Sequence, residues 1–136
     1  MPVSHTFFLP IKPNATQRSR ATCRGRFAQV YTDPKYKIWR DEAGSLLEQI
    51  ASFEDFREVQ DRPVRIITDI IVARPKTTKL AYPRGDIDNY EKGLWDAITH
   101  TGKWWLDDNQ IIDNQTTKRW AKDGELEGYQ ITIEFL

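Results

Sequence analysis

The run Val-Arg-Ile-Ile-Thr-Asp-Ile-Ile-Val-Ala at 64–73 constrains the fold more than any other stretch of the chain. It is rich in β-branched residues, which suit a pleated surface, and apolar at nearly every position, as in a strand buried on both sides. Such a strand belongs in the middle of a sheet and needs neighbours. Tyr129, Ile131, Ile133 and Phe135 alternate with Gln130, Thr132 and Glu134, which predicts a final strand with one buried and one wet face. Residues 110–121 (QIIDNQTTKRWA) read as another strand, and KDGE at 122–125 as the turn after it. Residues 3–9 and 26–32 have strand composition and are separated by a Pro-, Asn-, Ser- and Arg-rich segment, which predicts a hairpin with a long basic loop. Helical spacing begins at Pro34, with Tyr36, Trp39, Ala43, Leu46, Leu47 and Ile50 on one face. A second helix is predicted over 88–101, closed by Gly102, with Tyr90, Leu94, Ala97, Ile98 and Thr101 facing the sheet. The order ββαβαββ predicts an α+β fold, a mixed sheet packed by two helices. At 136 residues the chain is expected to form one domain, 1–136.

Several function classes drop out. Cys23 is the single cysteine, so an internal disulfide or a multi-cysteine zinc site is excluded. No apolar run approaches the ~18 residues that cross a bilayer, and the N-terminus lacks the features of a secretion signal. The expectation is a cytoplasmic protein with no membrane partner. His5 and His100 have no second ligand at metal spacing and read as surface or packing residues. Read as a calcium loop from Asp86, the chain has Glu91 where Gly is needed and Ala97 where Glu is needed.

Lysine plus arginine and aspartate plus glutamate both number 20, and a net charge of zero speaks against a nucleic-acid partner until the charges are placed. Residues 1–32 carry Lys12, Arg18, Arg20, Arg24 and Arg26 and no acid. Arg62, Arg65, Arg74, Lys76, Lys79 and Arg84 form a second basic stretch with one acid, Asp69. Between 86 and 113, Asp86, Asp88, Glu91, Asp96, Asp107, Asp108 and Asp113 face only Lys92 and Lys103. Basic arms that hold phosphates around an acidic centre that holds a metal are what a phosphodiesterase requires. Arg18, Arg20, Arg24, Arg26, Lys76 and Arg84 are therefore the candidate phosphate contacts to a nucleic acid. Trp95, on the side of the second helix away from the sheet, suits either a nucleic-acid or a subunit contact.

Asp86 and Asp88 share one face if their segment is extended up to the helix start. The alternative is structural: Asp88 with Glu91 resembles a capping box, and Asp88 with Lys92 an i,i+4 ion pair. That alternative leaves Asp86, Asp107 and Asp108 unexplained. Asp108 comes near Asp86 only if the strand starting at Gln110 runs back alongside the segment ending at Asp86. Oxygen ligands favour a hard cation, Mg²⁺ or Mn²⁺. Trp104 and Trp105 are expected to anchor the carboxylate loop in the core.

The runs R-G-D-I-D-N-Y-E-K-G-L-W-D-A-I and G-K-W-W-L-D-D-N-Q-I-I-D, between Arg84 and Asp113, closely resemble the RusA-type Holliday junction resolvases of bacteria and their prophages. The resemblance implies that Asp86, Asp88 and Asp108 are the essential metal-binding catalytic carboxylates and that Lys92 is the essential basic catalytic residue near the scissile phosphate. Asp107 matches the other aspartate of the pair. It further implies a homodimer that uses Mg²⁺, with Mn²⁺ as a substitute, to place symmetric nicks in a four-way DNA junction during recombination and repair, leaving 5′ phosphates. Two competing readings stay open: a metal-dependent nuclease for flaps or other branched DNA, and a junction-binding protein without catalysis.

Overall fold

The computed structural model describes residues 3–15, 19–24, 27–54 and 61–136. The elements are β1 (Val3–Leu9), β2 (Ser19–Arg24), β3 (Phe27–Thr32), α1 (Pro34–Phe53), β4 (Val64–Val72), α2 (Ile87–Thr101), a 3₁₀ turn (Asp108–Gln110), β5 (Ile111–Trp120) and β6 (Gly128–Phe135). One sheet has the order β1-β6-β4-β5, with β4 and β5 parallel and the other pairs antiparallel. β2 and β3 form a separate two-stranded sheet. The architecture is the expected α+β arrangement, with a strand added inside the segment read as a basic loop. The expected hairpin of 3–9 with 26–32 is absent: β1 pairs with β6, Val3 opposite Phe135, and β3 pairs with β2. Arg18 and Arg26 lie outside the described residues, as do the side chains of Arg20 and Arg24.

Local chemistry sets the helix ends. Asp33 caps α1 by accepting from the Lys35 amide at 2.8 Å, and Pro34, which has no amide hydrogen to satisfy, takes the first helical position. α2 ends at Gly102, whose φ of 65° is the left-handed conformation that glycine adopts at least cost.

Tyr36, Trp39, Ala43 and Leu47 of α1 are buried, as are Leu94, Ala97 and Ile98 of α2, in one core with Ile66, Ile70, Ile131, Ile133 and Phe135 of the sheet. Trp104 and Trp105 are wholly buried, as expected of anchors; their indole N–H groups donate to the Leu47 carbonyl at 3.2 Å and the Thr99 hydroxyl at 2.6 Å. Among the described residues no helix is long and apolar enough to cross a membrane.

β4 is central, but its expected burial on both sides needs correction. Its second face carries Arg65, Ile67 and Asp69, with Ile67 37% exposed. Arg65 bridges Asp113 at 2.9 Å and Glu134 at 3.1 Å, and Arg119 bridges Asp69 at 3.1 Å and Glu125 at 2.6 Å. Hydrogen bonding from Arg119 holds the Glu125 carboxyl at about 2, against an ordinary 4.5. A carboxyl depressed in the folded state adds stability above its unfolded pKa and loses it as the pH falls through the folded one. Arg119→Met is expected to return the Glu125 midpoint toward 4.5, followed by carboxyl-carbon NMR, and to remove that residue's share of acid sensitivity between about 4.5 and 2.

Candidate active site

The segment between β4 and α2 is held against β5 by its own backbone. Trp120 Nε1 donates to the Leu80 carbonyl at 2.9 Å. Lys118 Nζ donates to the carbonyls of Pro83 at 2.9 Å and Gly85 at 2.6 Å, and lies 5.7 Å from the centre of the Tyr82 ring. Tyr90 reaches back from α2 and donates to the Arg84 carbonyl at 2.7 Å. Three successive carbonyls, 83 to 85, are thus fixed by two side chains. Gly85 sits at φ +96°, and a Cβ there would meet the Ala15 Cβ at 2.6 Å, so the position demands glycine on two counts.

This clamp delivers Asp86 to the N-cap of α2. Its backbone is extended, its carbonyl accepts from Asn89 at 3.0 Å, and its side chain makes no capping hydrogen bond. Asp88 lies inside the first helical turn, so the two aspartates do not share one extended segment as the sequence suggested; both are exposed at the helix N-terminus, where the helix dipole favours negative charge. The capping box expected of Asp88 and Glu91 is not formed: Glu91 instead accepts from Asn114 Nδ2 on β5 at 3.0 Å. Lys92 is exposed one turn beyond Asp88, and no ion pair joins them. The exposed Arg84 and Lys76 lie on the clamped segment. Trp95 is half-buried against the core rather than standing free, and its Nε1 is buried without a partner.

A capping box does occur at the other acidic pair. Asp107 accepts from the Asn109 amide at 2.9 Å, and Gln110 Oε1 accepts from the amides of Asp107 at 3.0 Å and Leu106 at 2.7 Å. Gln110 Nε2 then donates to the Arg62 carbonyl at 2.9 Å, which ties the turn to the start of β4. Asp107 is therefore a structural cap. The half-buried Asp108 follows it as the first residue of the 3₁₀ turn.

A profile of the family described as Endodeoxyribonuclease RusA matches residues 10–134. The chain belongs to the RusA family. It is 44% identical over 45 residues to the crossover junction endodeoxyribonucleases RusA of Escherichia coli strain K12 and Shigella sonnei strain Ss046. Those segments make up 32% of this chain and 37% of each relative, so the chain aligns with little more than a third of the curated relatives' length.

Asp86, Asp88 and Lys92 stand together at one end of α2 of this RusA-family chain, and Asp108 stands at the other. The strand after Gln110 does run back alongside the segment ending at Asp86, but its first residues are the distant ones. Among the described residues no three His, Cys, Asp or Glu side chains are grouped to hold a metal ion. All-oxygen donors suit Mg²⁺ chemically, but the full set does not fit one ion within a single protomer. Sequence reading missed Lys118 and Tyr90, which resemble an ordinary wet-strand lysine and a core tyrosine until the backbone they hold is known. Gly85→Ala is expected to lower the unfolding free energy by about 1–3 kcal/mol, the usual scale for a strained backbone position, read from urea denaturation.

Proposed function

We propose that the chain is a structure-specific endodeoxyribonuclease that resolves four-way DNA junctions by paired symmetric nicks. It acts as a homodimer in DNA recombination and repair, with Mg²⁺ as cofactor and Mn²⁺ as a substitute. The single observation that carries this reading is the family match over 10–134. The curated relatives are, by name, crossover junction endodeoxyribonucleases, and their activity is carried over to this chain as part of the proposal. The site supports it independently, since Asp86 caps nothing and is available for chemistry.

Lys92 follows Asp88 by four residues, a spacing that sets their Cβ atoms about 5–6 Å apart on one side of the helix. An ammonium there offsets the charge that builds on the non-bridging oxygens of a phosphate brought against the carboxylates. Cleavage that releases the 3′ oxygen leaves a 5′ phosphate. Arg84 and Lys76 supply sequence-independent phosphate contacts beside the same helix end, and Arg18, Arg20, Arg24 and Arg26 supply others from the basic arm.

Asp86→Asn is expected to abolish cutting of a labelled four-way junction in Mg²⁺ while retaining junction binding in a gel-shift assay, because removing a negative charge does not weaken attraction to phosphate. Full cleavage by that variant would sink the assignment. Lys92→Met is expected to slow single-turnover cleavage by about 10²–10³-fold, the scale for loss of one charge-stabilising donor, with junction affinity little changed. A substrate panel separates the alternatives: paired nicks in the four-way junction support resolution, preferential cutting of flaps indicates a general branched-DNA nuclease, and tight binding without any Mg²⁺-dependent cutting indicates a non-catalytic protein.

A further inference from the structure

Tyr82 stands on the segment that leads to the candidate site, and its side chain is 62% exposed, which leaves apolar ring surface in water for a partner to cover. Its main chain is held on both sides. The Leu80 carbonyl accepts from Trp120 Nε1 at 2.9 Å, and the Pro83 carbonyl accepts from Lys118 Nζ at 2.9 Å. The Lys118 ammonium, 5.7 Å from the ring centre, takes one face of the ring, so the exposure falls on the other. A ring presented from a fixed backbone loses little conformational freedom when something flat is laid on it.

The surroundings indicate what that partner is. Between residues 70 and 85 the chain has four bases, Arg74, Lys76, Lys79 and Arg84, all exposed, and no acid. Cations flanking an aromatic ring are the combination that holds nucleic-acid strands, the charges following phosphates while the ring stacks on a base. Phe53, the other exposed aromatic side chain among the described residues, lies beside Glu48 at the end of α1 and lacks that setting. Tyr82 precedes Asp86 by four residues, at most about 14 Å of chain, or about four base-pair steps of 3.4 Å. In continuous duplex the base faces within that reach are covered by their neighbours. At a branch point the stack is interrupted, and a base face is open to an aromatic side chain.

We propose that Tyr82 is a specificity-determining residue that stacks on a base at the branch point and so favours branched DNA over continuous duplex. This rests on the nuclease reading above and names the contact by which its substrate is told from duplex. The exposed cations bind the phosphates of either DNA alike, whereas the ring gains a partner in the branched one alone.

The test compares binding of a labelled four-way junction and a labelled continuous duplex by fluorescence anisotropy in EDTA. Tyr82→Ala is expected to weaken junction binding about 10-fold, equivalent to about 1.4 kcal/mol and within the range of one base–aromatic stack, and to change duplex binding by less than about 2-fold. Tyr82→Phe keeps the ring and is expected to recover the lost junction affinity. In the wild-type chain, 5-iodouracil at the branch point is expected to photocrosslink to Tyr82, located by mass spectrometry, and 5-iodouracil in the arms is not. An unchanged junction affinity, equal losses on junction and duplex, a Phe variant as weak as the Ala variant, or a branch-point crosslink that maps elsewhere overturns the proposal. A change of oligomeric state in Tyr82→Ala, followed by light scattering, also overturns it, because the ring is then a subunit contact. Circular dichroism checks that the Ala variant is folded, and the crosslink requires no variant. Wild-type protein that binds the junction no better than duplex overturns the nuclease reading itself, whereas a junction preference that survives Tyr82→Ala overturns the stacking contact alone.

Discussion

Parallel pairing of β4 with β5 is the constraint on which the rest of the molecule depends. Parallel neighbours cannot be joined by a tight turn; the chain leaving the end of one must travel the length of the sheet to begin the other. Here that journey is made by the 73–85 segment and by α2, whose fifteen residues cover most of the length of the strands beneath it. Burying Leu94, Ala97 and Ile98 against the sheet pays for this crossover and fixes its direction. Any chemistry placed before and after the helix is thereby placed at the two ends of the sheet, and the separation of the acidic residues follows from the topology.

Precision at the helix start comes from main-chain carbonyls that would otherwise be left to water. Lys118 and Tyr90 each belong to a neighbouring regular element, and each donates to the connecting segment rather than to a side chain. A site on a connection held by a strand and a helix inherits the rigidity of both. This explains how an exposed Asp86 can have a fixed backbone without spending its carboxylate on a cap.

Much of this was legible in the sequence. Period-3.6 spacing and the terminal Gly102 located α2 to within one residue, and alternation located β6 and its buried face. The edges of the reading failed where information is not local. β2, Ser-Arg-Ala-Thr-Cys-Arg, offers only the small Ala21 and Cys23 as apolar alternation and pairs with β3, while β1 finds its partner at the far end of the chain. β4 was read as covered on both sides because Ile67 and Ile71 lie among its odd-numbered positions, yet Arg65 and Asp69 on that same face were the signal of an open surface. The acidic motifs were visible as residues, but their distance depends on which end of β5 meets the helix start, a matter of register that a one-dimensional pattern does not contain.

The ion pairs on the open face of the sheet also give the molecule a front and a back. Arg65 is shared between Asp113 and Glu134, and Arg119 between Asp69 and Glu125, so these cations are balanced where they stand. Arg74, Lys76, Lys79 and Arg84, beyond the end of β4, are exposed on the segment leading to Asp86. A polyanion approaching through solution therefore meets a face where acids outnumber the bases they pair with on one side, and the exposed cations of the segment leading to α2 on the other. Long-range attraction can then turn the protein as it arrives, so that the correct end is presented before contact is made.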